Sequence, residues 1–174
     1  MASNIEIKAR SRDWATQKKL ALQVSETGAR VLVQEDLFFN VSTGRLKLRV
    51  VDGGSGELIY YQRVDTNDVR QCDYVVAPVA DCAALRVVLE QAHGLRGVVK
   101  KRRTLFMVGQ TRIHLDEVVQ LGHFLELEYV LNSGEPIENG EQEVDRLMRH
   151  LGIEKEDLLE KAYIDMIAPL VAGS

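Results

Sequence analysis

This chain of 174 residues predicts an α+β fold, an antiparallel β-sheet curled into a barrel with an ionic bore and helices outside. About eight short segments alternate apolar with charged residues, as pleated strands with unlike faces do. Turn-like residues separate them, and capped stretches of helical spacing lie between and after them. Antiparallel sheets of this size tend to curl and close, which removes exposed edges.

Taken in order, residues 4–12 alternate as a strand, and Asp13 stands as an N-cap before "WATQKKLALQVSETG", an amphipathic helix expected to end at Gly28. From Ala29 to Pro78 the segments "RVLVQEDLFFNV", "GRLKLRVV", "ELIYYQRV" and "CDYVVAPV" form an antiparallel meander, parted by "STG", "DGGSG" and "DTNDVR". A second helix, "ADCAALRVVLEQAHG", has Asp81 near its start and Gly94 at its close. Three more strands follow in "GVVKKRRTLFMV", "TRIHLDEV" and "HFLELEYVL", with turns at "GQ" and "QLG". The tail is expected to hold two helices parted by Gly152, with Pro169 marking the end. No repeat or linker interrupts the chain, so residues 1–174 are expected to form one domain.

Composition narrows the function classes. With 45% hydrophobic and 28% charged residues, the chain is neither disordered nor fibrous. A net charge of -4 gives no general attraction to nucleic acid or to an anionic membrane, so any basic site must be local. The first twenty residues are too charged for a signal peptide, and "YVVAPVA" is too short to span a bilayer. A cytoplasmic protein with Cys72 and Cys82 as free thiols is expected.

The charges fall on one face of each strand. Glu6 and Lys8 oppose Ile5 and Ile7; Lys47 and Arg49 oppose Leu46 and Leu48; "IYYQR" ends in Arg63. In "KKRR", Lys101 and Arg103, or else Lys100 and Arg102, share a face. Arg112, His114 and Asp116 oppose Ile113 and Leu115, and Glu126 and Glu128 oppose Leu125 and Leu127. A sheet with one wetted face shows the same alternation. Wetted faces, however, mix in Thr, Ser and Gln, whereas these are dominated by full charges. Glu6, Asp116, Glu126 and Glu128 set four acids against seven bases, Lys8, Lys47, Arg49, Arg63, Lys101, Arg103 and Arg112, a difference of +3. An excess of that sign in a confined bore calls for a polyanion such as polyphosphate. The carboxylates fit beside it if they hold Mg²⁺ or Mn²⁺, hard cations that bridge carboxylate and phosphate oxygens.

This pattern resembles the CYTH, or triphosphate tunnel metalloenzyme, superfamily, which includes class IV adenylyl cyclases, thiamine triphosphatases and inorganic triphosphatases. The resemblance runs through "NIEIK", "GRLKLR", "ELIYYQR", "VVKKRRTLF", "TRIHLDEVVQLGHFLELE" and "KAYIDMI", with Thr111 to Glu128 the most specific stretch. It implies a closed eight-stranded antiparallel tunnel flanked by helices, acting on triphosphates with a divalent metal. By position it implies Glu6, Glu126 and Glu128 as metal ligands, with Asp116 beside them to orient water or a basic side chain. Lys8, Lys47, Arg49, Arg63, Lys101 and Arg103 correspond to the phosphate-gripping bases, with Arg112 a further candidate. The choice of Lys101 and Arg103 over Lys100 and Arg102 rests on a turn centred on Gly109 and Gln110, which sets Arg103 opposite Asp116; a bulge would reverse it.

One position departs from the resemblance. The opening signature is usually Glu-x-Glu-x-Lys, and Asn4 stands at its first acid, bringing an oxygen but no charge. With Glu6, Lys8 and Asp116 as catalytic candidates, hydrolysis of tripolyphosphate, ATP or thiamine triphosphate is the leading expectation. Cyclisation of ATP to cyclic AMP and pyrophosphate is the first alternative, and a non-catalytic polyphosphate or nucleotide binder the second. The resemblance leaves a homodimer open. "DGGSGE" lacks the ending of a phosphate loop, and His93, His114, His123 and His150 lack zinc-type spacing. His114 shares the face of Asp116, and Tyr163 occupies a position where the last helix is expected to meet the tunnel.

Overall fold

Eight strands close into one antiparallel barrel in the order β1-β5-β4-β3-β2-β6-β7-β8. The computed structural model describes residues 1–172. The strands are β1 (Ala2–Arg10), β2 (Arg30–Phe39), β3 (Arg45–Val51), β4 (Ser55–Arg63), β5 (Arg70–Val79), β6 (Leu95–Val108), β7 (Thr111–Val118) and β8 (Gly122–Val130). The helices are α1 (Trp14–Val24), α2 (Cys82–His93), α3 (Ile137–Leu151) and α4 (Tyr163–Ala172).

Strands β2 to β5 form the expected meander, and two hairpins join β6, β7 and β8. Closure depends on pairings distant in sequence. β1 lies between β5 and β8, and β2 pairs with β6. The two-residue turn at Gly109 and Gln110 leaves β6 and β7 without a bulge, so Val108 faces Thr111 and Arg103 faces Asp116.

Apolar outer faces of the barrel are covered by helices. Ile5, Ile7 and Ala9 of β1 pack with Val144, Leu147 and Leu151 of α3 and Ala21 of α1. Gly140 lets α3 come close, since a Cβ there would lie 2.6 Å from Ile5 Cγ1. Leu37 and Phe39 of β2 and Leu48 of β3 meet Leu89 of α2. The start of α4 differs, packing Tyr163, Ile164 and Ile167 against the inward-facing Phe38, Val99 and Phe124.

Asp13 and Asp81 cap their helices as expected, accepting from Thr16 N at 3.1 Å and Ala84 N at 2.9 Å. Three boundaries differ from expectation. The first helix stops at Val24 rather than Gly28, with Ser25 N bonded to Ala21 O and the residues up to Gly28 used as a link to β2. Gly152 ends α3 in the left-handed region, but a 3₁₀ turn at Lys155–Asp157 intervenes before α4. There Asp157 pairs with Arg12 and also completes a reciprocal cap with Glu154. Helix α4 runs through Pro169 to Ala172 instead of ending at the proline. No helix of the described residues is long and apolar enough to cross a membrane.

Candidate functional site

Strand alternation turns the charged row of most strands into the barrel, where it lines a cavity of about 670 Å³, while β5 contributes Cys72, Tyr74 and Val76. That size is within the usual range for small-molecule sites, roughly 300–1,000 Å³. Of the residues singled out from sequence, Glu6, Lys8, Lys47, Arg49, Arg63, Lys101, Arg103, Arg112, Glu126 and Glu128 all line it. Lys101 and Arg103 are buried inward, whereas Lys100 and Arg102 are exposed outside. Asp116 is the exception. It faces the interior but is wholly buried beneath Arg103 and is not part of the cavity wall.

One end of this constellation is cationic. Asp36 accepts from Arg49 at 2.7 and 2.9 Å, from Lys101 at 2.7 Å and from Lys47 at 3.3 Å. One carboxylate thus serves three basic side chains and cannot neutralise them all. Burial alone would raise the Asp36 pKa, but Arg49, Lys101 and Lys47 hold it well below the carboxylate range. The same crowding acts on the lysines. Burial, with Arg49, Arg103 and Lys47 outweighing the attraction of Asp36, pushes the Lys101 ammonium down to about 7. Burial and then Arg49 lower the Lys47 pKa.

The other end gathers three carboxylates, each with cations against it. Glu126 accepts from Lys8 at 2.9 Å and from Arg103 at 2.7 Å, and these two cations overcome its burial and keep it ionised. Glu128 lies on the same face with Arg112 3.6 Å away. His114, directly opposite Glu126 in register, is held neutral by burial and by Arg103. The ligand atoms of His114, Glu126 and Glu128 all lie within 4.8 Å of one another. Glu6, the register partner of Glu128, is occupied by Arg63 at 2.8 Å and Arg70 at 3.1 Å.

Arg103 joins this acid end to the deeper structure. Its two-point bond to Asp116 outweighs the burial of that carboxylate and draws its pKa down to about 2. Tyr163 donates to Asp116 at 2.9 Å, and Lys8 sits 3.8 Å from the centre of the Tyr163 ring. Burial, then Asp116 and Glu126, raise the Tyr163 pKa and keep its hydroxyl a donor. The segment before α4 is also tied to the bore, with Glu160 and Leu159 carbonyls accepting from Arg63 and Arg70.

Four buried atoms in the wall have no hydrogen-bond partner among the described residues: Asn4 Oδ1, Gln34 Oε1, Arg63 Nε and His114 Nδ1. Buried polar atoms are almost always satisfied, so a group of them in one cavity indicates a polar occupant. Eight bases and five acids line the cavity, again an excess of three positive charges. The membership differs from that expected, since Arg30, Asp36 and Glu57 join and Asp116 leaves.

Asp36 and Arg70 were not found from sequence. Asp36 precedes the apolar run Leu37-Phe38-Phe39, in which β2 is apolar on both faces, so the period is hidden. Arg70 ends a segment of turn residues yet begins β5. A strict parity count back from Phe38 would have placed Asp36 inside.

The sequence model of the CYTH domain family matches residues 2–163. No curated protein matches the chain. Among solved structures, the chain is similar to the PH1012 protein of Pyrococcus horikoshii, with 27% identity over 93% of this chain and 98% of that one and a TM-score of 0.80. It is similar to a proposed adenylate cyclase of Vibrio parahaemolyticus, with 17% identity over 95% and 97% of the two chains and a TM-score of 0.77. It is also similar to HpAC1 of Hippeastrum, described as having a dominant triphosphatase activity, with 15% identity over 98% and 96% and a TM-score of 0.68. At such identities the last two likenesses carry the fold alone.

Proposed function

The chain belongs to the CYTH domain family, and from that membership we propose that it hydrolyses the terminal phosphoanhydride of a triphosphate held in the tunnel with a divalent metal. The observation that carries this reading is the charge arrangement of the cavity: three cations on the single carboxylate of Asp36 at one end, and Glu126 with Glu128 at the other. A phosphate chain would take over the cations that Asp36 cannot neutralise. The acid end would hold the metal that faces the same phosphates.

The donor set fits Mg²⁺ or Mn²⁺. Glu126 and Glu128 offer carboxylate oxygens, Glu6 stands opposite Glu128, and the unpaired Asn4 Oδ1 shares their face. When bound, such an ion neutralises charge on phosphate oxygens and polarises the attacked phosphorus. Everything else falls to side chains. Lys47, Arg49 and Lys101 would grip the phosphates, while Lys8, Arg63, Arg103 and Arg112 would neutralise the charge that gathers on the leaving diphosphate group. Glu6, in the cavity wall, is the carboxylate we assign to orient the attacking water. Asp116 has no access to the cavity, so its part is to hold Arg103 in place.

A second reading is favoured by one further observation. Leu32, Val51, Tyr74, Val76 and Leu105 give part of the wall an apolar character on which an adenine could pack. In that case the ribose 3′ oxygen of ATP would attack the α-phosphorus, and pyrophosphate would leave. Phosphorus NMR of purified protein with tripolyphosphate, ATP or thiamine triphosphate, each with Mg²⁺, Mn²⁺ or chelator, tests both. Orthophosphate formed only with metal supports hydrolysis. Pyrophosphate with cyclic AMP would replace hydrolysis by cyclisation, and no turnover of any substrate would leave a binding module.

A further inference from the structure

His114 is buried at 4% exposure in the tunnel wall, and its Nδ1 has no hydrogen-bond partner among the described residues. The atom lies 3.4 Å from Glu126 Oε2, out of line for a hydrogen bond, and 3.8 Å from Glu128 Oε1, beyond hydrogen-bond distance. The placement follows from the sheet. His114 faces Glu126 directly across the β7–β8 hairpin, and Glu128 is two residues further along β8 on the same side.

An imidazole lone pair turned towards two carboxylates is repelled by them, and a proton there is not aligned to bond either. A cation among the three satisfies all of them. Two ligands at right angles, each about 2.1 Å from one ion, lie about 3 Å apart, so these separations need only a small inward movement of the side chains.

We infer that His114 is a third protein ligand of the divalent ion in the tunnel, bonding through Nδ1 beside Glu126 and Glu128. The inference rests on the metal-dependent reading above. Its consequence is a choice of metal. Mg²⁺ prefers an all-oxygen shell and imidazole nitrogen suits the transition ions; Mn²⁺, the first of that series, shares the oxygen preference of Mg²⁺ but accepts a nitrogen donor more readily. A nitrogen donor also adds a ligand without adding charge, in a site where Asn4 supplies oxygen but no charge. The tunnel therefore prefers Mn²⁺ to Mg²⁺.

The test is magnetic resonance on the full chain carrying no histidine tag. An EPR titration with Mn²⁺ alone, and then with Mn²⁺ and tripolyphosphate, counts bound ions; electron spin echo modulation then detects a coordinated imidazole nitrogen. We expect nitrogen modulation in the wild type and none in His114→Gln. Mn²⁺ affinity in that variant should fall by no less than the roughly tenfold that removing even a supporting partner costs, with a smaller change for Mg²⁺. Bound Mn²⁺ without nitrogen modulation, or modulation that persists in His114→Gln, would overturn the ligand assignment and leave the metal-dependent reading standing. Absence of any bound Mn²⁺ would overturn both. The wild-type spectrum decides the matter even if the variant folds poorly.

Discussion

Arg103 and Asp116 are cross-strand partners joined at two points, Nε to Oδ1 and Nη2 to Oδ2, both at 2.7 Å. The same Nη2 reaches Glu126 Oε2 at 2.7 Å, so Asp116 fixes the base that in turn fixes a proposed metal ligand. A planar guanidinium held at both ends has little freedom to turn away from a phosphate.

Removing that anchor should cost stability before it costs chemistry. Asp116→Ala leaves Arg103 with half its partners and Tyr163 without an acceptor, and should destabilise the fold by about 3–5 kcal/mol, the usual loss for breaking a buried pair. Asp116→Asn keeps the shape and should cost less. Urea unfolding followed by circular dichroism measures both, and equal stability of Asp116→Ala and wild type would show that the pair does not support the barrel.

The two faces of β6 should behave oppositely. Lys101→Gln removes a cation buried in the cavity, and should weaken tripolyphosphate binding by about tenfold or more, since a buried charge-assisted bond contributes roughly 1.5–3 kcal/mol. Lys100→Gln and Arg102→Gln alter exposed side chains paired loosely with Glu35 and Glu117. Calorimetric titration should show little change in either. The reverse ranking would place the phosphate grip outside the barrel.

Lys101 also makes stability and binding depend on pH. Its folded pKa of about 7 lies below the ordinary lysine value of 10.5. Between these values the unfolded chain carries a proton that the folded chain lacks, so stability of the unliganded protein should rise as pH increases from 7 towards 10. The slope from this one group is at most about 1.4 kcal/mol per pH unit, and Lys101→Met should remove it. A bound polyanion favours the charged amine, so tripolyphosphate binding near pH 8 should take up a proton. Calorimetry in two buffers of different ionisation enthalpy reads that uptake, and an equal uptake by Lys101→Met would assign it elsewhere.

At the acid end, charge should set metal affinity. Asn4→Glu adds a carboxylate on the face of Glu6 and Glu128, and should tighten Mn²⁺ binding. Glu126→Gln removes the counter-charge of Lys8 and Arg103. It should lower metal-dependent turnover by roughly a hundredfold or more, the order seen when one charge-stabilising group is lost, and near-ultraviolet circular dichroism checks that the variant still folds. Full turnover in Glu126→Gln would remove that residue from the metal site, and unchanged Mn²⁺ affinity in Asn4→Glu would remove position 4.

Much of the site was legible before the fold. Side-chain direction in a strand has a period of two, so "RLKLR" and "FLELEY" declare which residues share a face. A two-residue turn propagates register without ambiguity, which is how Gly109 and Gln110 separate Lys101 and Arg103 from Lys100 and Arg102. Asp36 was hidden because its strand turns apolar on both faces. Asp116 was placed on the correct face but not at the correct depth, since period says nothing of what stacks above a side chain.

Local pattern was enough to give most of the inward residues, the positive excess of their charges, the hairpins and the N-caps at Asp13 and Asp81, because these depend on neighbours a few residues apart. Which inward groups meet was set by the closing of the sheet. Pairing of β2 with β6 brings Lys101 onto Asp36, and insertion of β1 between β5 and β8 sets Glu6 against Arg70 and Lys8 against Glu126. Those contacts follow from closing the sheet, a condition on the whole ring of strands that no local pattern contains.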